Sequence, residues 1–283
     1  MENKIVCSLI FIALLLGGTH AGASPLVVMS YNIRREGAEK AETRLWQNRL
    51  PLIATLLKNI KPDIIGFQEV INHQQEDLQK ELPDFNMIGE SRGSSWWGLA
   101  TDEATPIAYK KDAFELKDHG TFSVNPELNS WTWMPWHRAE TGLLPRVCTW
   151  AKLKDKQTNK EFYVYNTHLD HMYRQAREIS AQKVMQDVEQ RTPGYPVIMM
   201  GDFNTPIEGE MKNILTRQFM LAKDKTERVE GPRETATGWD NTKLAEIDHI
   251  LVNKLITAVE RYRVVEADGY PSDHRPVVAD IQL

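Results

Sequence analysis

The 283 residues are 41% hydrophobic and 26% charged, the balance of a globular chain rather than of a disordered, fibrous or repeat protein. A formal net charge of −5 gives no long-range attraction to duplex nucleic acid, whose binding rests on Lys and Arg contacts to phosphate. Long duplex DNA is therefore disfavoured as a partner, although acidic side chains gathered round a metal would account for part of the charge.

At the N-terminus, Lys4 precedes an apolar run from Ile5 to Leu16, and small residues follow, ending Ala21-Gly22-Ala23. A basic n-region, an h-region and an A-x-A-like site predict a signal peptide over 1–23, cleaved after Ala23. The run is short of the roughly 20 residues a spanning helix needs; an uncleaved anchor is the alternative. The mature chain, 24–283, reads as one domain, secreted or periplasmic, with no stable membrane insertion and expected as a monomer. Cleavage removes Glu2 and Lys4, so the charge is unchanged, and leaves Cys148 as the sole cysteine. No intramolecular disulfide can then form, and the apolar flanks of Cys148 point to a buried thiol rather than a nucleophile.

Along the chain, Val27 to Asn32 reads as a strand ending in Asn, with Arg34 and Arg35 just beyond as candidate phosphate contacts or a solvated loop. Thr43 to Lys58 has helical spacing of Leu45, Leu52 and Leu56, with Pro51 inside. Pro62 to Val70 is a buried strand ending Gln68-Glu69, and a helix from Asn72 or His73 to Leu82 stops at Pro83. Between about 90 and 145 lie five of the eight tryptophans, Trp96, Trp97, Trp131, Trp133 and Trp136. They either fill a core or form an aromatic wall beside a site, where Trp131 and Trp133 would share one strand face. Phe162 to Leu169 is a strand carrying Asn166 and His168. Tyr173 to Gln190 is a helix with Ala176, Ile179, Ala181, Val184 and Val188 inward. Val197 to Met200 is a buried strand leading into Gly201-Asp202-Phe203-Asn204-Thr205-Pro206, and Glu208 to Leu215 a short helix. Ile247 to Val252 is a strand opened by Asp248, and Ser272-Asp273-His274 precedes a last strand from Val277 to Ile281.

Taken singly, each polar residue at a strand end has a commonplace explanation as a turn cap or a solvated group. Together they do not. A carboxylate able to activate water, Asp202, stands two residues from an amide able to bind a phosphate oxygen, Asn204, and alternation along an extended chain would aim both to one side. That pair suits phosphoester hydrolysis.

The motifs SYN, FQEV, NTHLDH, GDFNTP, IDHILV and SDHRPV, in this order over roughly residues 25 to 283, resemble those of the endonuclease/exonuclease/phosphatase superfamily. That superfamily includes deoxyribonuclease I, abasic-site endonucleases, neutral sphingomyelinases, inositol polyphosphate 5-phosphatases and deadenylases. The resemblance implies an α/β fold, a four-layer sandwich of two packed mixed or antiparallel sheets flanked by helices. It implies Mg²⁺, with Mn²⁺ acceptable, held by Glu69 and Asp273, with Asn32 adding its amide oxygen to the metal or holding the metal's water. It implies Asp202 as the group that deprotonates water, Asn204 and His168 as donors to the phosphate, and His274 at the phosphate with Asp248 as its carboxylate partner. Arg146, Tyr31, Trp131 and Trp133 are candidate substrate contacts, with Asn166, Asp170 and Ser272 behind them. His249 follows Asp248 where the family commonly has an aromatic, which suggests a packing substitution. A tyrosine used by the abasic endonucleases has no evident counterpart, and the strings Thr237-Gly238-Trp239 and Asn166-Thr167-His168 lean toward the deadenylase, nocturnin and sphingomyelinase side.

The leading expectation is a secreted metal-dependent phosphoesterase acting on a phosphodiester such as a nucleic acid fragment or nucleotide. The alternatives are a phosphatase or phospholipase C-like hydrolase of a sugar phosphate or lipid headgroup and, from another class, a non-catalytic carbohydrate-binding protein.

Overall fold

A computed structural model of the chain describes residues 24–93, 102–125, 144–269 and 271–283. The strands are β1 (Leu26–Asn32), β2 (Ile64–Gln68), β3 (Phe85–Ile88), β4 (Ile107–Lys110), β5 (Phe114–Ser123), β6 (Val147–Asp155), β7 (Glu161–His168), β8 (Val197–Asp202), β9 (Phe219–Leu221), β10 (Val229–Glu230), β11 (Asp248–Asn253), β12 (Ala258–Val264) and β13 (Val277–Gln282). The helices are α1 (Trp46–Ile60), α2 (Asn72–Glu81), α3 (Arg174–Arg191) and α4 (Gly209–Leu215). No helix among the described residues is long and apolar enough to cross a membrane.

Two sheets form, a seven-stranded one in the order β10-β12-β13-β1-β2-β4-β3 and a six-stranded one in the order β5-β6-β7-β8-β11-β9. Both are mixed: β1 runs parallel to β2 and β7 parallel to β8, amid antiparallel neighbours. Strand alternation explains the layering. Val28, Ile64, Ile198, Met200, Ile250 and Ala279 point between the sheets. Met29, Tyr31, Ile65 and Phe67 point outward onto Trp46, Ile53, Leu57 and Leu78. Tyr165, Val197, Met199 and Leu251 do the same onto Val184, Val188, Ile214 and Leu215. The result is the expected helix, sheet, sheet, helix sandwich.

Two local readings change. The first helix begins at Trp46, after a short 3-10 turn over Glu42–Arg44, and its buried face is Trp46, Arg49, Ile53, Ala54, Leu56 and Leu57 rather than one through Leu45 and Leu52. An arginine thus sits within the stripe of Leu45, Leu52 and Leu56, where helical spacing calls for an apolar side chain. Ile179 is only half-buried, while Ser180 and Met185 complete the inner face of α3.

Beneath the site a polar tie crosses from one sheet to the other. Asn166 of β7 donates from Nδ2 to the carbonyls of Phe67 (2.7 Å) and Pro106 (2.9 Å), and its Oδ1 accepts from Gln68 Nε2 (2.7 Å). Gly66 leaves room for it, since a Cβ there would lie 2.8 Å from Asn166 Oδ1. Of the two roles open to Asn166, support behind the site or contact with phosphate, the structure favours the first: it is fully buried and its donors are committed to main-chain carbonyls. Asn166→Ala is expected to cost about 3 kcal/mol, because buried polar partners left unpaired cost ~1–3 kcal/mol each. A denaturant midpoint unchanged from wild type would show the tie to be dispensable.

Candidate active site

Strand register gathers the site at one rim of the sandwich. His168 pairs with Asp202 across β7 and β8, and Asp202 with Asp248 across β8 and β11, so three polar residues stand in one row. Each continues an inward-facing file whose earlier members, Val164, Met200 and Ile250, are core. Opposite, Asn32 pairs with Gln68 across β1 and β2, continuing the inward file of Val28. The row forms only because β8 comes very close to β7. A Cβ on Gly201, whose φ is +152°, would lie 2.0 Å from the Thr167 carbonyl oxygen, so the first residue of GDFNTP must be glycine.

Glu69 lies one residue past β2, where alternation would turn it away from Asn32. Its φ of +61°, a left-handed conformation that costs a non-glycine residue of order 1–3 kcal/mol, turns it back. Its Oε1 accepts from Asn32 Nδ2 at 3.2 Å and its Oε2 from the Arg35 amide at 3.1 Å. Burial opposes its ionisation, but the charge of Arg34, that amide bond and the neighbouring His274 hold its pKa below the ordinary carboxylate value.

Asn32 also donates from Nδ2 to Asp202 Oδ2 at 2.9 Å, while its Oδ1 accepts from the Arg34 amide at 3.0 Å. It therefore bridges two carboxylates as a donor. Its oxygen carries one hydrogen bond and keeps a second lone pair. Asp202 Oδ1 accepts from the Asn204 amide at 2.8 Å. Burial first, and the charge of Asp248 second, raise the Asp202 carboxyl from 3.8 to about 7.

Asn204 does not share an extended face with Asp202. The strand ends at Asp202 and Asn204 has φ +52°. Its Nδ2 donates to the Leu169 carbonyl at 3.0 Å, so one of its two amide hydrogens is committed to the loop after β7.

His274 stands at the centre of the cluster. Its Nδ1 donates to Asp248 Oδ2 at 2.8 Å, and its Nε2 lies 3.9 Å from Asp202 Oδ2. Burial works against its charged form. The carboxylates of Asp248, Asp202 and Asp273 outweigh burial and raise its pKa well above 6.5, so it is an imidazolium. Thr235 Oγ1 donates to the same Asp248 oxygen at 2.6 Å. His168 is the counterpart, with Nε2 3.5 Å from Asp202 Oδ2. Burial, then the charges of Arg146 and Arg92, push its pKa well below 6.5, and it is neutral.

The loop before β13 is tied down from several directions. Ser272 Oγ donates to the Asn32 carbonyl at 2.7 Å and accepts from the His274 amide at 3.2 Å. The Asp273 carbonyl accepts from the amides of Thr237 (2.7 Å) and Gly238 (3.3 Å). The Asp273 carboxylate faces Arg34 Nε at 3.7 Å, while Arg34 Nη1 is 3.8 Å from Glu69.

Arg146 is buried, and its Nη2 donates to His171 Nδ1 at 3.1 Å while its Nε has no partner among the described residues. The guanidinium lies close enough to His168 for its charge to lower the imidazole pKa. The place of His171 in this pair was not foreseen, although NTHLDH contains it.

Some expectations fall elsewhere. Tyr31 is not a substrate contact: alternation aims it away from Asn32 into the outer helical layer, where it is wholly buried and its hydroxyl has no partner among the described residues. Asp170 uses Oδ1 to accept from the amides of Met172 and Tyr173 at the start of α3. His249 packs its ring on Phe203, 5.7 Å between centroids, and its Nε2 donates to the Thr205 carbonyl at 3.1 Å. Arg35 lies 3.4 Å from Glu103, an ion pair rather than a solvated loop. Cys148 is buried and its thiol pKa is pushed up by burial, as an inert structural thiol should be. Trp131 and Trp133, and residues 1–23, lie outside the described residues.

The profile of the Endonuclease/Exonuclease/phosphatase family matches residues 29–274. Among solved structures, the chain is similar to a mannosyl-6-phosphatase of Bacteroides thetaiotaomicron, at 30% identity and a TM-score of 0.79, covering 91% of this chain and 100% of that one. It is also similar to an endonuclease/exonuclease/phosphatase of Bacteroides vulgatus, at 29% identity and a TM-score of 0.81, covering 92% and 99%. An uncharacterised protein of Acanthamoeba polyphaga mimivirus is 26% identical over 258 residues, 82% of this chain and 91% of its own length. The matched span runs from before Asn32 to His274, and the chain belongs to the Endonuclease/Exonuclease/phosphatase family.

Proposed function

We propose that the protein is a divalent-metal-dependent phosphatase that removes phosphate from a sugar phosphate monoester. The observation that carries the hydrolytic reading is the row His168, Asp202, Asp248–His274⁺: a carboxyl poised at about 7 between a neutral imidazole and a charged one. The identity and coverage shared with the mannosyl-6-phosphatase favour a hexose phosphate over the phosphodiester that motifs alone put first. The negative net charge weighs the same way against long nucleic acid.

The donor set fits Mg²⁺ or Mn²⁺, which take hard oxygens. Glu69 and Asp273 already face one shared cation, the Arg34 guanidinium, and would hold the ion. Asp202, Asp248 and His274 also offer ligand atoms within 4.8 Å of one another. There, however, Nδ1 of the imidazolium carries the proton that it donates to Asp248, and has no lone pair to give. A bound ion supplies charge neutralisation at phosphorus and acidity to a coordinated water.

The residues do the rest. Asp202, its two oxygens fixed by Asn32 and Asn204, takes the proton of the attacking water. His274⁺ donates from Nε2 to a phosphate oxygen as charge develops, with Asp248 holding its other nitrogen. His168 donates as a neutral imidazole, and Arg146 adds positive charge beside it.

We further propose that the chain is exported after cleavage behind Ala23, a reading supported by the run from Ile5 to Leu16. One experiment on protein purified from the exported fraction serves both. The chain is expected to begin at Ser24 and to release phosphate from mannose 6-phosphate with Mg²⁺ but not with EDTA. Bis-p-nitrophenyl phosphate should be turned over far more slowly. Turnover confined to the diester would overturn the monoester assignment, and activity undiminished by EDTA would remove the metal.

A further inference from the structure

Arg49 lies on the inner face of α1 and is wholly buried. A guanidinium carries five N–H donors in a rigid fork. Its three nitrogens make four bonds to main-chain carbonyls, Nε to Arg44, Nη1 to Ile33 and Pro271, and Nη2 to Arg34, at 2.5–2.9 Å. The rings of Trp46 and Trp239 lie 5.4 and 5.6 Å from its central carbon. Burying a cation costs several kcal/mol unless its surroundings replace water, and here the replacement comes from carbonyls on three separate chain segments.

Two of those segments, and the stretch that carries Trp239, lead into the site. Ile33 and Arg34 follow Asn32 directly, and the Arg34 side chain faces both Glu69 and Asp273. Pro271 precedes Ser272, Asp273 and His274. Trp239 follows Thr237 and Gly238, whose amides hold the Asp273 carbonyl. Arg49 therefore touches every stretch that carries Asn32, Asp273 and His274, yet it bonds to none of those side chains.

We propose that Arg49 is a positioning residue that sets the spacing of Glu69, Asn32 and Asp273, and through it the affinity of the site for its metal; this rests on the phosphoesterase reading above. Lysine cannot take its place, since a compact ammonium has three donors and cannot reach three segments at once.

The test uses the full mature chain as wild type, Arg49→Lys and Trp239→Leu. Mn²⁺ binding is measured by calorimetry without substrate, kcat and KM for mannose 6-phosphate at saturating Mn²⁺, and Tm in EDTA. Arg49→Lys is expected to weaken Mn²⁺ binding about 10- to 100-fold, the usual effect of losing a group that orients ligands. It should lower kcat even at saturating metal, with KM little changed. Trp239→Leu, which removes one stacking face and leaves the four hydrogen bonds, should shift the Mn²⁺ Kd in the same direction by less. A folded Arg49→Lys with wild-type Mn²⁺ affinity and only a lower Tm would overturn the proposal. Should that variant fail to fold, wild-type Mn²⁺ affinity in Trp239→Leu overturns it instead. A wild type that binds no Mn²⁺ would sink the metal-dependent reading itself, an outcome separate from either.

Discussion

Asp202→Asn is expected to lower kcat by about 10³-fold, within the ~10²–10⁴ that a positioned proton acceptor contributes, while leaving the fold no less stable in EDTA. Both halves follow from its position. Asp202 is buried, with its carboxyl raised from 3.8 to about 7 by burial and by Asp248. The unfolded chain loses this proton near 3.8 and the folded chain keeps it to about 7. Between those values the native state binds more protons, so stability falls as pH rises, by about 1.4 kcal/mol per unit. Above pH 7 the wild type carries the whole cost and the amide carries none. Set against that gain, the amide has one oxygen where Asn32 and the Asn204 amide both need an acceptor, a loss of about 1–3 kcal/mol. Calorimetry at pH 8 should show a Tm equal to or above that of wild type. The pH–rate profile gives the second readout. The base must be ionised, so wild-type kcat should rise tenfold per unit below about 7 and level off above, and in the variant that limb should be gone. A variant retaining wild-type kcat would remove Asp202 from the chemistry.

Asp248→Asn tests the pair that keeps His274 charged. His274 holds its proton well above 6.5 because the charges of Asp248, Asp202 and Asp273 outweigh burial. Without the Asp248 charge, burial gains and the imidazole loses its proton at lower pH. The stability that this raised pKa confers, full below 6.5 and lost as pH rises through the folded value, should diminish as well. Asp248 is also the second cause of the raised Asp202 carboxyl, so that group should ionise at lower pH too. Both limbs of the profile are therefore expected to move toward acid together. At pH 8 kcat/KM should fall by about 10²–10³-fold, in the range of general acid–base losses, and at pH 6 by much less. A loss of equal size at both pH values would mean that Asp248 acts only as a strut for Thr235 and the β11 start, not through the proton on His274.

Periodicity and motif determined a great deal by themselves. His168, Asp202 and Asp248 fall where NTHLDH, GDFNTP and IDHILV put them, because a buried strand of period two leaves no choice of face for its terminal residue, and His274 follows from SDHRPV by motif alone. The layering, the mixed sheets and the four helices among the described residues were legible for the same reason: apolar spacing reports which side must be covered. The tertiary structure alone decided the rest. Asn204 leaves the extended path, and Glu69 returns to the site through a left-handed backbone, because contacts far along the chain override local alternation there. Asn32 proved to be a donor between two carboxylates, which depends on Asp202 lying 170 residues away. Tyr31 faced the helices because its strand is covered on both sides, so an aromatic beside a site residue carries no information about which side it faces. Arg49 was hidden most completely. Within its own helix it shares the stripe of Leu45, Leu52 and Leu56, where spacing calls for an apolar side chain, and only the convergence of carbonyls from Ile33, Arg34 and Pro271 makes a buried cation stable there.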